Sequence, residues 1–391
     1  MNVLLRAAIA LLATSLSLQA GAADAAASAA SAPAPAAPSP DKCQAPTADR
    51  AANRACAVGL WRHAEAERTA GRNDAALAAL ARGDRFSPDD LRFAMAHASL
   101  SLKLAGQLTP AGIDAAAKAA PGDVGLAMLH AELSIAKRDF AAALADVDGV
   151  LAKRPDAPLA WETRATADVA RPDFAAAHAD VAQVLRLEPR SPVALRLRGL
   201  LRNNGGDHAG ALADYQAARA IAPRPEDPFI IGSTQFLQRQ FGDAAATLAT
   251  RAPPAPDGTY WRLWRYLALA RLDGVERASG ALGPGTPPGT GTLWPGPVVD
   301  FLHGSIDAAT LLDIARKSQE AHDVSQVCEA HFYMAEDALL RQHGDAVALF
   351  RQAANDCPRN FHEYEGAVAE LKAAGATPVA SATVPETSAA R

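Results

Sequence analysis

Residues 124–157 read VGLAMLHAELSIAKRDFAAALADVDGVLAKRPDA. The next two segments, 158–191 (PLAWETRATADVARPDFAAAHADVAQVLRLEPRS) and 192–225 (PVALRLRGLLRNNGGDHAGALADYQAARAIAPRP), repeat that pattern column by column over 34 residues each. Phe140, Phe174 and His208 share a column, as do Ala143, Ala177 and Ala211. Val147, Val181 and Tyr215 form another, followed by Val150, Val184 and Ala218, then Pro155, Pro189 and Pro223. Aspartate recurs twice, as Asp139, Asp173, Asp207 and as Asp146, Asp180, Asp214. A strict period of this length marks a helix–turn–helix unit that cannot bury its apolar face alone and must stack on its neighbours.

Each column has a local reason. Ala131, Ala165 and Gly199 fall in the first helix of each block, where a small side chain lets the second helix approach; Ala143, Ala177 and Ala211 do the same on the second helix. Asp139, Asp173 and Asp207 sit where a carboxylate caps the orphan amides of the second helix. Pro155, Pro189 and Pro223 stop that helix and set the turn into the next block.

The resulting spacing, Ala-x3-apolar-x2-Ala/Val-x4-Pro after Gly/Asp-aromatic, resembles the tetratricopeptide repeat (TPR). That resemblance implies an all-α fold: a TPR solenoid, a right-handed superhelix of helix–turn–helix repeats, here with an irregular helical C-terminal subdomain and a capping helix. In such a superhelix the first helices line the concave face through repeat positions 2, 5, 9, 12 and 13. By resemblance, the partner-binding groove comprises Met128, Glu132 and Ile135, then Glu162, Thr166 and Val169, then Arg196, Leu200, Asn203 and Asn204. The Lys/Asn carboxylate clamp of chaperone-binding repeats is absent from these positions. A mix of acidic, apolar and amide groups suits an extended or helical peptide segment.

Composition agrees with closely packed helices: of 391 residues 49% are hydrophobic but only 5% aromatic, so the apolar content is largely Ala and Leu. The formal net charge of −5 offers no basic field for a phosphate backbone, which argues against nucleic acid as a partner. Residues 1–22 read as a secretory signal peptide: Arg6 supplies the charge, 7–18 the short apolar run, and Ala20-Gly21-Ala22 the small-x-small cleavage site. The apolar run is shorter than a spanning helix needs, and no cysteine follows it for lipid attachment, so a mature protein in the periplasm without a stable membrane span is expected. Four cysteines form no CxxC pair and no Cys/His ligand set, which leaves disulfides. Cys43 and Cys56 bracket the approach to the first helix. Cys328 and Cys357 fall at repeat positions 2 and 31, which an antiparallel hairpin brings side by side, so the expected bridges are Cys43–Cys56 and Cys328–Cys357.

In order, the chain divides into the signal peptide, an Ala/Pro-rich linker (23–56), the solenoid (57–282, with 124–157, 158–191 and 192–225 its strongest repeats), a Gly/Pro loop (283–293), a TPR-containing C-terminal subdomain with a capping helix (294–376) and a disordered tail (377–391). Residues 57–90 keep the register and 91–123 are an irregular repeat, its second helix confined to 113–120 by Thr109-Pro110. Segment 229–252 is a further repeat, 259–272 an aromatic-rich first helix, and 327–360 returns to register. The closing helix, 361–373, places Phe361, Tyr364, Val368 and Leu371 along one stripe at helical spacing and is expected to cap the solenoid.

WPGPVVDFLHGSID (294–307), CEAHFYMAEDALL, GDAVALFRQAANDCP and FHEYEGAVAEL together resemble the C-terminal half of a group of proteobacterial exported TPR proteins and, more distantly, the NlpI type of outer-membrane lipoprotein adaptor. That resemblance implies a periplasmic adaptor that docks envelope enzymes, notably peptidoglycan hydrolases and a periplasmic protease. Two departures are plain: no lipidated cysteine, and more repeats upstream.

Residues with chemical potential have structural readings. His63, Glu65 and Glu67 fan around a helix and do not converge on a metal; His362-Glu363-Tyr364-Glu365 lacks the second histidine of HExxH; the glycine run 283–291 lacks the Lys-Ser/Thr of a phosphate loop. Cys328 and His331 sit one turn apart, with Cys328 assigned to a disulfide. The aromatic residues between Tyr260 and Trp294 are read as packing rather than as a stacking platform. The expected protein is a non-catalytic scaffold with no cofactor and no metal, binding protein or peptide partners. The alternatives are a TPR component of a secretion or pilus assembly system, and a small-ligand or enzyme site between the repeats and the C-terminal subdomain.

Overall fold

A computed structural model describes residues 38–250, 257–283, 294–317 and 325–377. The signal peptide, residues 23–37 of the linker, most of the Gly/Pro loop, and all but the first residue of the tail lie outside the described residues. Among these residues there are nineteen α-helices and no strand. They are α1 (Arg50–Thr69), α2 (Asn73–Phe86), α3 (Arg92–Leu104), α4 (Pro110–Ala119), α5 (Val124–Ala136), α6 (Phe140–Lys153), α7 (Pro158–Ala170), α8 (Phe174–Leu187), α9 (Pro192–Asn204), α10 (His208–Ile221), α11 (Asp227–Leu237), α12 (Phe241–Leu248), α13 (Asp257–Asp273), α14 (Val275–Ala278), α15 (Gly296–Leu302), α16 (Ala308–Lys317), α17 (Ser325–Arg341), α18 (Ala346–Asp356) and α19 (His362–Ala373). The fold is an all-α solenoid of the tetratricopeptide type, built from antiparallel helix pairs in a 34-residue register.

The column residues perform their expected local tasks. Asp139 accepts from the Ala142 amide at 3.1 Å, Asp173 from Ala176 at 3.2 Å and Asp207 from Gly210 at 2.9 Å; Asp345 caps α18 in the same way. Before each cap the chain reverses through a left-handed residue, filled by Gly206 (φ 79°) in one repeat and by Arg138 (φ 63°) in another. Ala131, Ala165, Ala143, Ala177 and Ala211 are fully buried at the helix crossings. Gly199 is required by contact: a Cβ there would stand 2.7 Å from the Tyr215 ring.

The chain forms two compact units whose boundary falls within α9: residues up to Arg198 with Ala220–Ala222, and Gly199–Arg219 with everything from Pro223 onward. In the first unit α1 with α2, α5 with α6 and α7 with α8 pair as hairpins, while α3 and α4 each pack on α5, over a core that includes Leu60, Ala76, Leu91, Met128, Val147 and Val150. The linker ends earlier than expected. Helix α1 starts at Arg50, seven residues before the repeat register begins at 57, because Asp49 caps it by accepting from the Ala51 and Ala52 amides. The segment before it is tied down by the Cys43–Cys56 disulfide and by Arg82, which donates to the carbonyls of Pro40 and Cys43. The irregular repeat holds α3 and a short α4. Across it, Arg154 at the end of α6 makes a bidentate pair with Asp84 of α2 at 2.7 and 2.8 Å.

The second unit has one large core centred on Trp261, Trp264 and Tyr266 of α13 and Phe332 and Tyr333 of α17. The aromatic stretch is therefore packing, as read. The disulfide Cys328–Cys357 joins the start of α17 to the end of α18, with 4.9 Å between Cα atoms. On α19 the apolar stripe lies to one side of the covered face: Phe361, Tyr364 and Val368 are half-buried, whereas His362, Glu363, Glu365, Gly366, Ala367, Glu370 and Leu371 point inward. The apolar spacing was real but weak, and the polar face of this helix is the one that the rest of the unit covers.

Candidate interaction face

Asp146, Asp180 and Asp214 turn out to hold the hairpins together. Arg164 of α7 donates to both oxygens of Asp180 at 2.8 Å and to Asp148 of the preceding repeat at 2.7 Å, with its guanidinium over Trp161. Those two carboxylates hold Arg164 in its charged form, above its ordinary pKa. His130 of α5 meets Asp146 in the equivalent place, and Arg202 of α9 meets Asp214 at 2.7 Å. For Arg164–Asp180 and His130–Asp146 the signal was present in the sequence, a basic residue at repeat position 7 and an acidic one sixteen residues on, spaced across a hairpin rather than along one helix; Arg202 stands at position 11, twelve residues before Asp214.

The ten positions assigned to the groove divide by environment. In the first unit Met128, Ile135 and Val169 are buried between helices, while Glu132, Glu162 and Thr166 are half-buried. Glu162 accepts from the Ser191 hydroxyl, and Thr166 donates to the Glu162 carbonyl at 2.8 Å. Arg196 is buried and donates to the Ala222 carbonyl at 2.5 Å, so it braces the end of its own repeat. In the second unit Leu200 and Asn203 are buried, Asn203 donating to Thr234 Oγ1 of the next first helix at 3.0 Å; Asn204 is half-buried. Glu132, Glu162 and Thr166 are thus the half-buried ones on α5 and α7, while Met128, Ile135, Val169, Arg196, Leu200 and Asn203 are taken up in packing.

In the second unit the first helices converge on α19. It stacks on α17 and α18 as the next first helix would, and it also reaches α11. His362 packs edge-on to Phe229 with ring centroids 5.1 Å apart, and Gly366 lies against Phe332 and Trp264 so closely that a Cβ would come within 2.6 Å of the Phe332 ring. Glu370 accepts from Arg239 at 3.3 Å and pairs with Arg271 at 3.3 Å; Glu365 accepts weakly from Asn204 at 3.5 Å.

Beside this helix lies a set of buried carboxyls. Glu329 of α17 accepts from the Tyr260 hydroxyl at 2.8 Å and from the Trp294 indole at 2.6 Å. Burial, together with the nearby Glu363, pushes its pKa up to about 8 against the pull of those two donors. Glu336 is paired with Arg271 at 2.6 Å, yet burial and Glu370 push it up to about 7. Burial also raises Glu363, which accepts from Tyr333 at 3.1 Å. His362 is buried, which pulls its pKa down, but Glu365 outweighs that and leaves it raised. His331 is buried with Nδ1 3.0 Å from Asp356.

No family model and no curated protein matches this chain. Solved structures it is similar to are tetratricopeptide-repeat proteins. One is a tetratricopeptide repeat protein of Parabacteroides merdae (15% identity, 57% of this chain and 90% of that one, TM-score 0.38). A thermophilic TPR protein of Thermus thermophilus matches at 18% identity over 55% of this chain and 98% of its own, TM-score 0.33. The TPR domain of P58(IPK) matches at 15% identity over 83% of this chain and 93% of its own, TM-score 0.27. The repeat assignment itself rests on the 34-residue period and the helix pairs described above.

Proposed function

We propose that the protein is a non-catalytic scaffold of the exported compartment, which binds protein partners through the first-helix face of its repeats. The observation that supports this reading most is the division of labour within the repeat. The crossing columns and the Arg164–Asp180 type of pair are used in stacking, while Glu132, Glu162 and Thr166 are left half-buried on the first helices α5 and α7 of the first unit. Repeat arrays present such faces to extended or helical segments of other proteins. Envelope or peptidoglycan-modifying enzymes are the partners suggested by the C-terminal resemblance, and two disulfides suit an oxidising compartment such as the periplasm.

Charge reversal of Arg196 is a poor probe of this face, since its removal would leave the Ala222 carbonyl without its donor. Photo-crosslinking residues placed at Glu132 and Thr166 in intact cells should capture protein partners that the same residue at Gln183, on α8, does not. Equal capture from both faces, or none from Glu132 and Thr166, sinks the reading.

A further inference from the structure

Helices α17 and α19 carry the same polar columns one repeat apart. Glu329 and Glu363 are separated by 34 residues, and so are Glu336 and Glu370, which follow seven residues further along the same two helices. All four side chains are buried. Carboxylates taken out of water onto neighbouring helices lose their hydration and repel one another, so a fold that keeps them must meet them with a positive charge or a proton. For Glu336 and Glu370 that charge is an arginine: Arg271 of α13 donates to Glu336 at 2.6 Å and stands 3.3 Å from Glu370, and Glu370 also accepts from Arg239 at 3.3 Å.

Glu329 and Glu363 have no arginine. Among the described residues neither carboxyl forms an ion pair with a lysine or an arginine, and the donors they meet are neutral. Tyr260 of α13 and Trp294 both donate to Oε2 of Glu329, at 2.8 and 2.6 Å, and Tyr333 donates to Oε1 of Glu363 at 3.1 Å. His362, beside Glu363 in the chain, is paired with Glu365 at 3.4 Å. Neutral donors steady a carboxylate without cancelling its charge. Burial raises both carboxyls, and the neighbouring Glu363 raises Glu329 further, against the pull of Trp294 and Tyr260. Tyr333 does not ionise in their place, since burial and the two carboxyls raise its phenol well above the ordinary value.

We infer that Glu329 and Glu363 hold one proton between them, and that this proton joins α17 to α19 at one level as Arg271 joins them seven residues further on. Because Tyr260 and Trp294 both occupy Oε2, the proton on Glu329 sits at Oε1. The second unit is thus closed by a proton that its surroundings can withdraw. In neutral or acidic surroundings the joint is intact. As pH rises through the range in which Glu329 ionises, two buried negative charges come to face each other and the contact between α17 and α19 weakens.

Carbon-13 NMR of the full mature chain, labelled at the glutamate carboxyl carbons, follows each ionisation, and the loss of one signal in Glu329→Gln assigns Glu329. Its midpoint in the unaltered chain should lie near pH 8. Glu363→Gln removes the facing charge and should lower that midpoint by about one pH unit or more, whereas Glu370→Gln, in the pair that Arg271 serves, should leave it in place. A midpoint that stays put in Glu363→Gln, or falls as far in Glu370→Gln, overturns the shared proton. Should Glu363→Gln fail to fold, proton release decides: between about pH 7 and pH 9 the unaltered chain should give up about one proton more than Glu329→Gln, and equal release overturns the proposal.

Discussion

A carboxyl placed where water cannot reach it makes the second unit sensitive to pH. Glu329, pushed up to about 8, is protonated in the folded unit well above the pH at which it ionises in an unfolded chain, whose ordinary value is 4.5. Its contribution to stability is complete below about 4.5 and is lost as pH rises through about 8. Over that window a single such group tilts stability by at most about 1.4 kcal/mol per pH unit. Glu336 adds to the same trend up to about 7. Glu329→Gln keeps an oxygen for Tyr260 and Trp294 but cannot ionise. The melting temperature of the second unit should fall between pH 5 and pH 8, and the fall should be shallower in this variant; equal slopes would show that Glu329 does not titrate there. None of this was legible residue by residue. Glu329 and Glu363 lie 34 positions apart on helices whose polar residues read as solvated, and only the packing of α13 over α17 removes their water. Arg164 and Asp180 were closer to legible, because their spacing recurs with His130 and Asp146.

At the scale of the element, the repeat columns reveal a rule of complementary size. Where the first helix carries Ala131 or Ala165, the second carries Val147 or Val181; where it carries Gly199, the second carries Tyr215. Gly199→Ala should therefore overpack against the Tyr215 ring and destabilise by about 1–3 kcal/mol. Combining it with Tyr215→Val, which recreates the pairing of the other repeats, should return most of that loss. Denaturant melts of the single and double variants check this, and a double variant no more stable than the single one would refute the rule. Helix pairs, caps and turns were readable from the sequence for the same reason: each depends on a few residues at fixed offsets. The direction in which α19 faces was not, since hydrophobic periodicity presumes that polar residues seek water, and on this helix Glu363, Glu365 and Glu370 are covered.

The molecule as a whole carries one disulfide in each unit. Cys43–Cys56 lies in the first, near its start, and Cys328–Cys357 in the second. Both pairings followed from register and proximity along the chain. In the chain-entropy model the shorter loop stabilises by about 3 kcal/mol and the longer by about 3.5 kcal/mol. Cys328→Ser with Cys357→Ser should lower the melting of the second unit, seen by calorimetry as a shift of one transition while the other keeps its temperature. A single transition moving as a whole would mean that the two units melt together.

Trp294 gives its indole hydrogen to the same oxygen of Glu329 that takes the Tyr260 hydroxyl. An excited indole is sensitive to a negative charge at hydrogen-bonding distance, so the ionisation of Glu329 is written into the emission of Trp294. The protein thus carries a built-in optical gauge of its own buried proton, readable without any label.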